Sequence, residues 1–145
     1  MKAKQINEER GQKTFALVFN TDDEFISELT NFAKDNDLSA ASLTALGAFS
    51  DATLGYFDME RKEYKKIPVE EQVEVLSLVG SIAPKDDGEA QVHAHVVLGR
   101  FDSTTRGGHL LEAHVRPTLE VILTESPERL QRQTDEETGL PLISL

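Results

Sequence analysis

The sequence has no cysteine and no tryptophan. Without cysteine the chain cannot form disulfide bonds or offer thiolate ligands, so only histidine, carboxylate or carbonyl groups could hold a metal ion. A cysteine-free chain also fits the reducing cytoplasm, where we expect this protein to work. Seven phenylalanines and two tyrosines are the only aromatic residues. Most of them stand at apolar-periodic positions, so no platform for stacking nucleobases is visible.

Basic residues are few for a protein that would bind nucleic acid. The chain has 15 lysines and arginines against 26 aspartates and glutamates, a net charge of -11. Binding to phosphates needs clustered basic side chains, because the release of counterions drives it. The nearest clusters are YKKI at Tyr64–Ile67 and MKAK at the N-terminus, and solvated lysines explain both. Charge therefore disfavours nucleic acid as a partner.

Long apolar runs are absent as well. The longest are far shorter than the roughly 20 residues of a membrane span, and the start, MKAKQINEERGQK, lacks the apolar region of a secretion signal. We therefore expect no membrane partner. The length of 145 residues suits one domain. We expect a single domain over residues 1–145, with a polar N-terminal arm at 1–11 and a C-terminal extension at 126–145.

One segment has the pattern of an amphipathic helix. In NTDDEFISELTNFAKDND, Thr21 is predicted as the N-cap, with Glu24 three residues on completing a capping box. An apolar stripe at helical spacing follows, formed by Phe25, Leu29, Phe32 and Ala33. The segment before it, KTFALVFN, predicts a buried strand. The helix is thus expected to lie on a sheet.

The rest of the chain predicts strands joined by short connections. AASLTALGAFSDATLGYFDME predicts two strands that meet near Ser50–Asp51, and a break at Pro68 precedes a longer strand from about Gln72 to Ala83. AQVHAHVVLGRF predicts another strand, and HLLEAHV and TLEVILTES two more, separated at Arg116–Pro117. PERLQRQ is interpreted as a helical turn and LPLISL as a short extended piece. This order favours an α+β domain, with a mainly antiparallel sheet of about six to eight strands packed on one main helix.

All four histidines lie in the short stretch VHAHVVLGRFDSTTRGGHLLEAH. His93 and His95 are two residues apart on a predicted strand, so they share one face. The alternate residues, Val92, Ala94 and Val96, are apolar and would face the helix. A His-x-His pair on a strand brings two imidazoles within reach of one ion. The plainer interpretation is two polar residues on a half-exposed sheet.

The returning strand supplies a third histidine. His109 opens that strand beside Gly107–Gly108, which would allow a tight turn or a close backbone approach. His114 lies five residues further on, so a regular strand would place it on the opposite face. We therefore expect His93, His95 and His109 to form the site, with His114 outside it. Three histidines suit zinc or a similar divalent ion with a fourth position open.

A small anionic ligand and an acid–base residue are also considered. Arg100 or Arg106 could contact the ligand, and Glu112 or Glu74 could serve a metal-dependent enzyme. Each of these residues is equally typical of a solvent-exposed surface, and no catalytic residue is identified. Cupins also use His-x-His on a strand, but they place a glutamate a few residues later. Here that region reads VVLGRF, which weakens the cupin interpretation.

Three motifs in order, EVLSLVGSIA, HAHVVLG and GGHLLEA, resemble the plants and prokaryotes conserved (PPC) domain. The resemblance extends from TFALVF through TLEVILTE. It implies an α/β fold with an antiparallel sheet, a homotrimer and, as in some prokaryotic members, a metal at His93, His95 and His109. Plant relatives carry an Arg-Gly-Arg-Pro AT-hook and bind DNA in the nucleus. This chain lacks that hook, and the plant GRFEIL stretch appears here as EQVEVL.

We therefore expect a small trimeric PPC-domain protein that binds a divalent metal, zinc first, through three histidines. Two alternatives stay open. One is a DNA-binding or regulatory protein, by kinship with the plant relatives. The other is a metal-dependent enzyme that acts on a small anionic substrate.

Overall fold

The computed structural model describes Met1–Leu145 and contains one helix and nine strands. In chain order these are β1 (Lys2–Glu9), β2 (Gln12–Asn20), α1 (Phe25–Asp35), β3 (Ala41–Asp58), β4 (Glu63–Val69), β5 (Val73–Pro84), β6 (Ala90–Gly99), β7 (Thr105–Glu125), β8 (Gln131–Thr134) and β9 (Pro141–Ser144). The single helix is neither long enough nor apolar enough to cross a membrane.

Seven strands form one antiparallel sheet in the order β1-β2-β7-β6-β5-β3-β4. A further pairing between β7 and β3 joins β3, β5, β6 and β7 in a closed cycle. The strands β8 and β9 form a separate two-stranded sheet. The predicted α+β fold, with one main helix and about six to eight antiparallel strands, is confirmed.

Two predicted strand breaks are wrong, because β3 and β7 are long strands that change neighbours along their length. β3 runs through Ser50–Asp51, where the pairing with β7 shifts register, as at a β-bulge. β7 runs through the Arg116–Pro117 peptide bond, which is cis. Its first residues pair with β6 and its last with β2. Local turn signals therefore mark irregular pairing here, while long-range pairing keeps each strand continuous.

The helix begins three residues later than predicted. Glu24 is the N-cap, and its carboxylate accepts hydrogen bonds from the backbone N–H groups of Ile26 (3.1 Å) and Ser27 (2.7 Å). The predicted cap at Thr21 is wrong, because Asp22 has a φ of 71° and the chain is still turning there. The Thr21 hydroxyl instead donates to the carbonyl of Pro117. The predicted apolar stripe of the helix is buried or partly buried in the core.

Both ends of the chain form strands. The polar arm expected at residues 1–11 contains β1, whose residues are exposed and pair with β2 at the edge of the sheet. The helical turn predicted in PERLQRQ is wrong, since Gln131–Thr134 is β8. Its conformation is set by pairing with β9 and by contacts with β5, which the local sequence does not reveal. LPLISL is extended as predicted and contains β9.

The core lies between the helix and the inner face of the sheet. Phe19, Phe25 and Phe49 are fully buried and contact one another through tilted ring pairs. On β6, Ala94 and Val96 belong to this core. Because side chains alternate along a strand, His93 and His95 point away from it. Core packing thus fixes the face on which the histidines stand.

Candidate metal centre

Three histidines converge on the outer face of the sheet. His93 and His95 lie on β6, and the register pairs His95 with His109 on β7. The three ring centroids lie 5.1 to 5.4 Å apart. One ring nitrogen from each lies within 4.8 Å of the others. Nitrogens that share one tetrahedral zinc lie about 3.4 Å apart, given bonds of about 2.05 Å. Small side-chain rotations would close that difference.

A close approach between β6 and β7 makes this convergence possible. Gly107 and Gly108 lie inside β7 and do not form a turn. A Cβ atom added at Gly107 would lie 2.9 Å from the carbonyl oxygen of Val96. A larger residue would therefore push the two strands apart next to the His95–His109 pair. Of the two roles considered for these glycines, the close backbone approach is the one that the structure contains.

Tyr64 supports His109 from β4, which lies on the other side of β3. The two rings are stacked, with centroids 4.7 Å apart and an angle of 25° between their planes. Gly55, the partner of His109 on β3, leaves room for this ring, since a Cβ there would lie 2.7 Å from Tyr64 Cδ1. From the sequence, Tyr64 was expected only as part of the lysine-containing surface segment YKKI. Tyr64 also packs against Phe57, its partner on β3, with ring centroids 5.2 Å apart, and the sequence carries no local sign of this contact.

The environments of His93 and His109 lower their pKa values, so both are neutral at neutral pH. Burial, together with the neighbouring His93 and His95, lowers the pKa of His109 to about 4. Burial, Arg132 and His95 together lower the pKa of His93. Neutral imidazole is the form that binds metal ions. In addition, His109 Nδ1 is buried and has no hydrogen-bond partner. The donor set therefore fits a divalent ion of borderline softness such as zinc.

His114 lies outside the cluster, as predicted. Its Nδ1 atom is 2.8 Å from Asp51 Oδ1 on β3. This hydrogen bond raises the pKa of His114. Burial of Asp51 opposes its ionisation, but hydrogen bonds from His114 and Ser50 outweigh that effect and hold the pKa of Asp51 below its ordinary value. His114 therefore forms an ion pair with Asp51 on β3 and lies outside the three-histidine cluster.

The Asp51–His114 pair should make the stability of the protein depend on pH. The contribution of His114 is complete below its unfolded pKa of 6.5 and is lost as the pH rises through its raised folded value. The contribution of Asp51 is complete above 3.8 and is lost as the pH falls through its lowered folded value. Asp51→Asn should therefore cost about 0.2–1 kcal/mol near pH 5.5 and less near pH 8.5, as measured by denaturant unfolding.

Asp87→Asn is the matched control for this prediction. Asp87 pairs with Lys85, which stays charged across the same pH range, so the cost of this substitution should not change between the two pH values. An equal cost of Asp51→Asn at both pH values would contradict the assignment of a titrating pair to His114.

The other sequence candidates lie away from the histidine cluster. Arg100 forms a 2.6 Å ion pair with Glu71, and the guanidinium of Arg106 donates to a backbone carbonyl of β4. Glu112 is exposed, and its charge contributes to the raised pKa of His114. None of these three residues lines the cavity beside the histidines.

That cavity has a volume of about 140 Å³ and opens next to His93 and His109. Its other walls are Tyr64, Gln91, Arg132 and the residues from Leu140 to Leu142. Arg132 comes from β8, and sequence reasoning missed it. A single arginine in a polar segment looks like any surface arginine, and only the folded hairpin carries it to the site.

The family model of the Plants and Prokaryotes Conserved (PCC) domain, which is the PPC domain named above, matches residues 6–127. The chain belongs to this family. The resemblance seen in the three motifs is thereby confirmed, and it covers every strand of the large sheet except the first residues of β1.

Solved PPC-domain structures have the same fold. A PPC protein from Pyrococcus horikoshii is 34% identical, with 91% of each chain covered and a TM-score of 0.84. A metal-containing protein from Archaeoglobus fulgidus is 36% identical, over 92% of this chain and 94% of its own, with a TM-score of 0.83. A proposed DNA-binding protein from Ralstonia eutropha is 31% identical, with 90% of each chain covered and a TM-score of 0.84. Among curated proteins, none matches this chain.

Proposed function

We propose that this PPC-domain protein binds one divalent metal ion, zinc in the first place, through His93, His95 and His109. The observation that carries the proposal is the convergence of three imidazoles, one of which has a buried nitrogen without a hydrogen-bond partner. Leaving such a nitrogen unpaired costs about 1–3 kcal/mol, and an ion bound at that nitrogen would remove the cost. The metal-containing relative from Archaeoglobus fulgidus, at 36% identity, supports the same conclusion.

Elemental mass spectrometry of untagged protein tests this function. Protein purified without added metal should carry about one ion per chain, and chelation followed by addition of equimolar zinc should restore that content. Cobalt added in place of zinc should give the visible absorption bands of a nitrogen-bound ion in a tetrahedral site. The proposal would be refuted if the purified protein contained no metal and bound none from an equimolar zinc solution.

We also propose that the protein is a homotrimer, as the family resemblance implies, and that its subunits meet on the outer face of the sheet. Large apolar side chains are exposed on this face, namely Val18, Leu46, Leu76, Val79, Val97 and Ile122. Some of them surround a depression of about 350 Å³. Contiguous apolar patches of this kind are typical of protein interfaces. Because the register pairs Val79 with His95, the histidine cluster lies at the margin of this apolar face.

Val79→Glu should break the trimer into monomers. The substitution would bury an unpaired carboxylate in every subunit contact, which costs several kcal/mol. Size-exclusion chromatography with light scattering measures the number of chains per particle. Met59→Glu is the matched control, because Met59 is equally exposed but lies in the turn between β3 and β4. A monomeric wild type, or a Val79→Glu variant that remains trimeric, would contradict the proposed interface.

DNA binding is the second candidate function, and the relative from Ralstonia eutropha favours it. The net charge of -11 opposes it, since this chain would have to attract phosphates against its own field. A gel shift at low salt, where electrostatic binding is strongest, tests it directly. A metal-dependent enzyme is the third candidate, and the cavity beside the histidines is the feature that favours it.

A further inference from the structure

Arg132 is a buried cation without an anionic partner. Its side chain is almost fully enclosed, with 3% of its surface exposed. Its Nη2 atom donates to the Ser81 hydroxyl (2.9 Å) and its Nη1 atom to the carbonyl of Pro141 (3.2 Å), whereas the buried Nε atom has no partner. No carboxylate lies within 4.0 Å of its guanidinium. A charge buried in this way costs several kcal/mol unless an anion joins it.

The buried side-chain polar atoms without a hydrogen-bond partner all belong to residues that line one cavity. Buried side-chain nitrogen or oxygen atoms without a hydrogen-bond partner occur only at Gln91, His109 and Arg132. All three residues line the 140 Å³ cavity. Such atoms are rare in folded proteins, so their concentration in one place points to missing binding partners. The proposed metal ion accounts for the His109 nitrogen, and Gln91 Oε1 is an acceptor that needs a donor, so the N–H group of Arg132 Nε is the one that an anion would satisfy. An anion in this cavity would pair with the guanidinium of Arg132 and would also lie beside the histidine cluster.

The size and walls of the cavity define the kind of anion. A volume of about 140 Å³ holds roughly four or five water molecules at about 30 Å³ each, so it suits a ligand of a few non-hydrogen atoms and is too small to enclose a nucleotide. A planar carboxylate matches the fork of a guanidinium. Leu140, Pro141 and Leu142 form an apolar wall that would receive a short alkyl group. Phosphate has no apolar group that could pack against this wall.

We infer that this cavity binds a small monocarboxylate, which pairs with the guanidinium of Arg132 and lies next to the metal ion held by the three histidines. The inference rests on the proposed metal site for the second positive charge, while the arginine contact stands without it. The family match ends at residue 127, so Arg132 on the C-terminal hairpin lies outside the residues that the family model matches. The hairpin is attached to the body at Ser81 and, through Thr134, at Asp86.

Titration with propionate tests the inference. Cobalt-loaded protein should change its visible spectrum as propionate binds beside the ion, and calorimetry should give the dissociation constant of the zinc-loaded protein. Arg132→Gln should weaken propionate binding about tenfold or more, because it removes a charge-assisted pair. Arg129→Gln is the matched control, since Arg129 lies three residues away, is exposed and pairs with Asp37. This control should bind propionate as the wild type does.

Two further variants separate loss of charge from loss of the hairpin. Arg132→Lys keeps the charge without the fork, and we expect binding between that of the wild type and that of Arg132→Gln. Ser81→Ala loosens the hairpin but leaves the guanidinium, so it should weaken binding less than Arg132→Gln does. Equal losses in Ser81→Ala and Arg132→Gln would mean that the arginine acts only by holding the hairpin, and would overturn the inference.

The outcomes also distinguish this inference from the proposed function. Zinc-loaded protein that fails to bind propionate overturns the carboxylate site and leaves the metal site standing. Metal-free protein that takes up no zinc but still binds propionate through Arg132 overturns the metal site instead. Inorganic phosphate that binds more tightly than propionate would replace the carboxylate with a phosphate and refute the role given to the apolar wall.

Discussion

Gly47→Ala is expected to lower the free energy of unfolding by about 3–5 kcal/mol. Gly47 has a φ of 147°, a conformation that only glycine adopts without strain. A Cβ atom there would also lie 2.3 Å from the carbonyl oxygen of Thr118 and 2.8 Å from the Cα atom of Leu119. Both of these atoms belong to the backbone of β7, so they cannot rotate away as a side-chain end would. Denaturant unfolding followed by circular dichroism measures the loss.

Gly88→Ala provides the matched control for Gly47→Ala. Gly88 also has a positive φ, 81°, but nothing lies within 4 Å of the position that its Cβ would occupy. Its substitution should cost only the left-handed backbone strain, about 1–2 kcal/mol. Equal losses for the two variants would show that the contact between β3 and β7 is easily relaxed, against our expectation.

Gly47 matters for the site because of where it bends β3. The register shifts on both sides of this residue, between Ala45 and Gly47 against β5 and between Gly47 and Phe49 against β7. Beyond the bend, β3 continues to Gly55, which lies opposite His109 and makes room for the ring of Tyr64. A change at Gly47 is therefore expected to disturb the support of the histidine cluster as well as the stability of the fold.

Local periodicity was enough to predict the main elements of this fold. The helical stripe that includes Phe25 and Leu29 and the alternation of Val92 to Leu98 reflect burial on one face, and burial on one face is what a sequence pattern records. The continuity of β3 and β7 could not be predicted in the same way. Ordinary turn signals stand at Ser50–Asp51 and at Arg116–Pro117. Both positions nevertheless lie inside continuous strands, because the residues around them pair with strands that are distant in sequence.

The histidine cluster could be predicted from local sequence, whereas the other walls of the cavity could not. His93, His95 and His109 stand on neighbouring strands of one hairpin, so strand alternation and a short return were sufficient to predict that they meet. Tyr64 and Arg132 reach the site from β4 and β8, which contact it only through the tertiary fold. Sequence reasoning instead assigned an anion to Arg100 or Arg106. In the structure Arg100 forms an ion pair with Glu71, and the arginine that lines the cavity is Arg132 of the C-terminal hairpin.

His109→Ala is expected to abolish metal retention. Two imidazoles on one strand would remain, and loss of the third should lower the affinity for zinc by at least about a hundredfold, since even changes behind the ligands cost tenfold to a hundredfold. The fold should survive, because His109 Nδ1 makes no hydrogen bond that the substitution would break. Elemental mass spectrometry should find about one ion per chain in the wild type and almost none in the variant.

His114→Ala is the matched control, and thermal unfolding gives a second measure. His114 pairs with Asp51 outside the cluster, so its variant should keep the full metal content and lose only the small stability of an exposed ion pair. An ion that binds only the folded chain raises the melting temperature. Added zinc should therefore raise the melting temperature of the wild type and of His114→Ala but leave that of His109→Ala unchanged. If His109→Ala retained one ion per chain, the metal would lie elsewhere and the three-histidine site would be refuted.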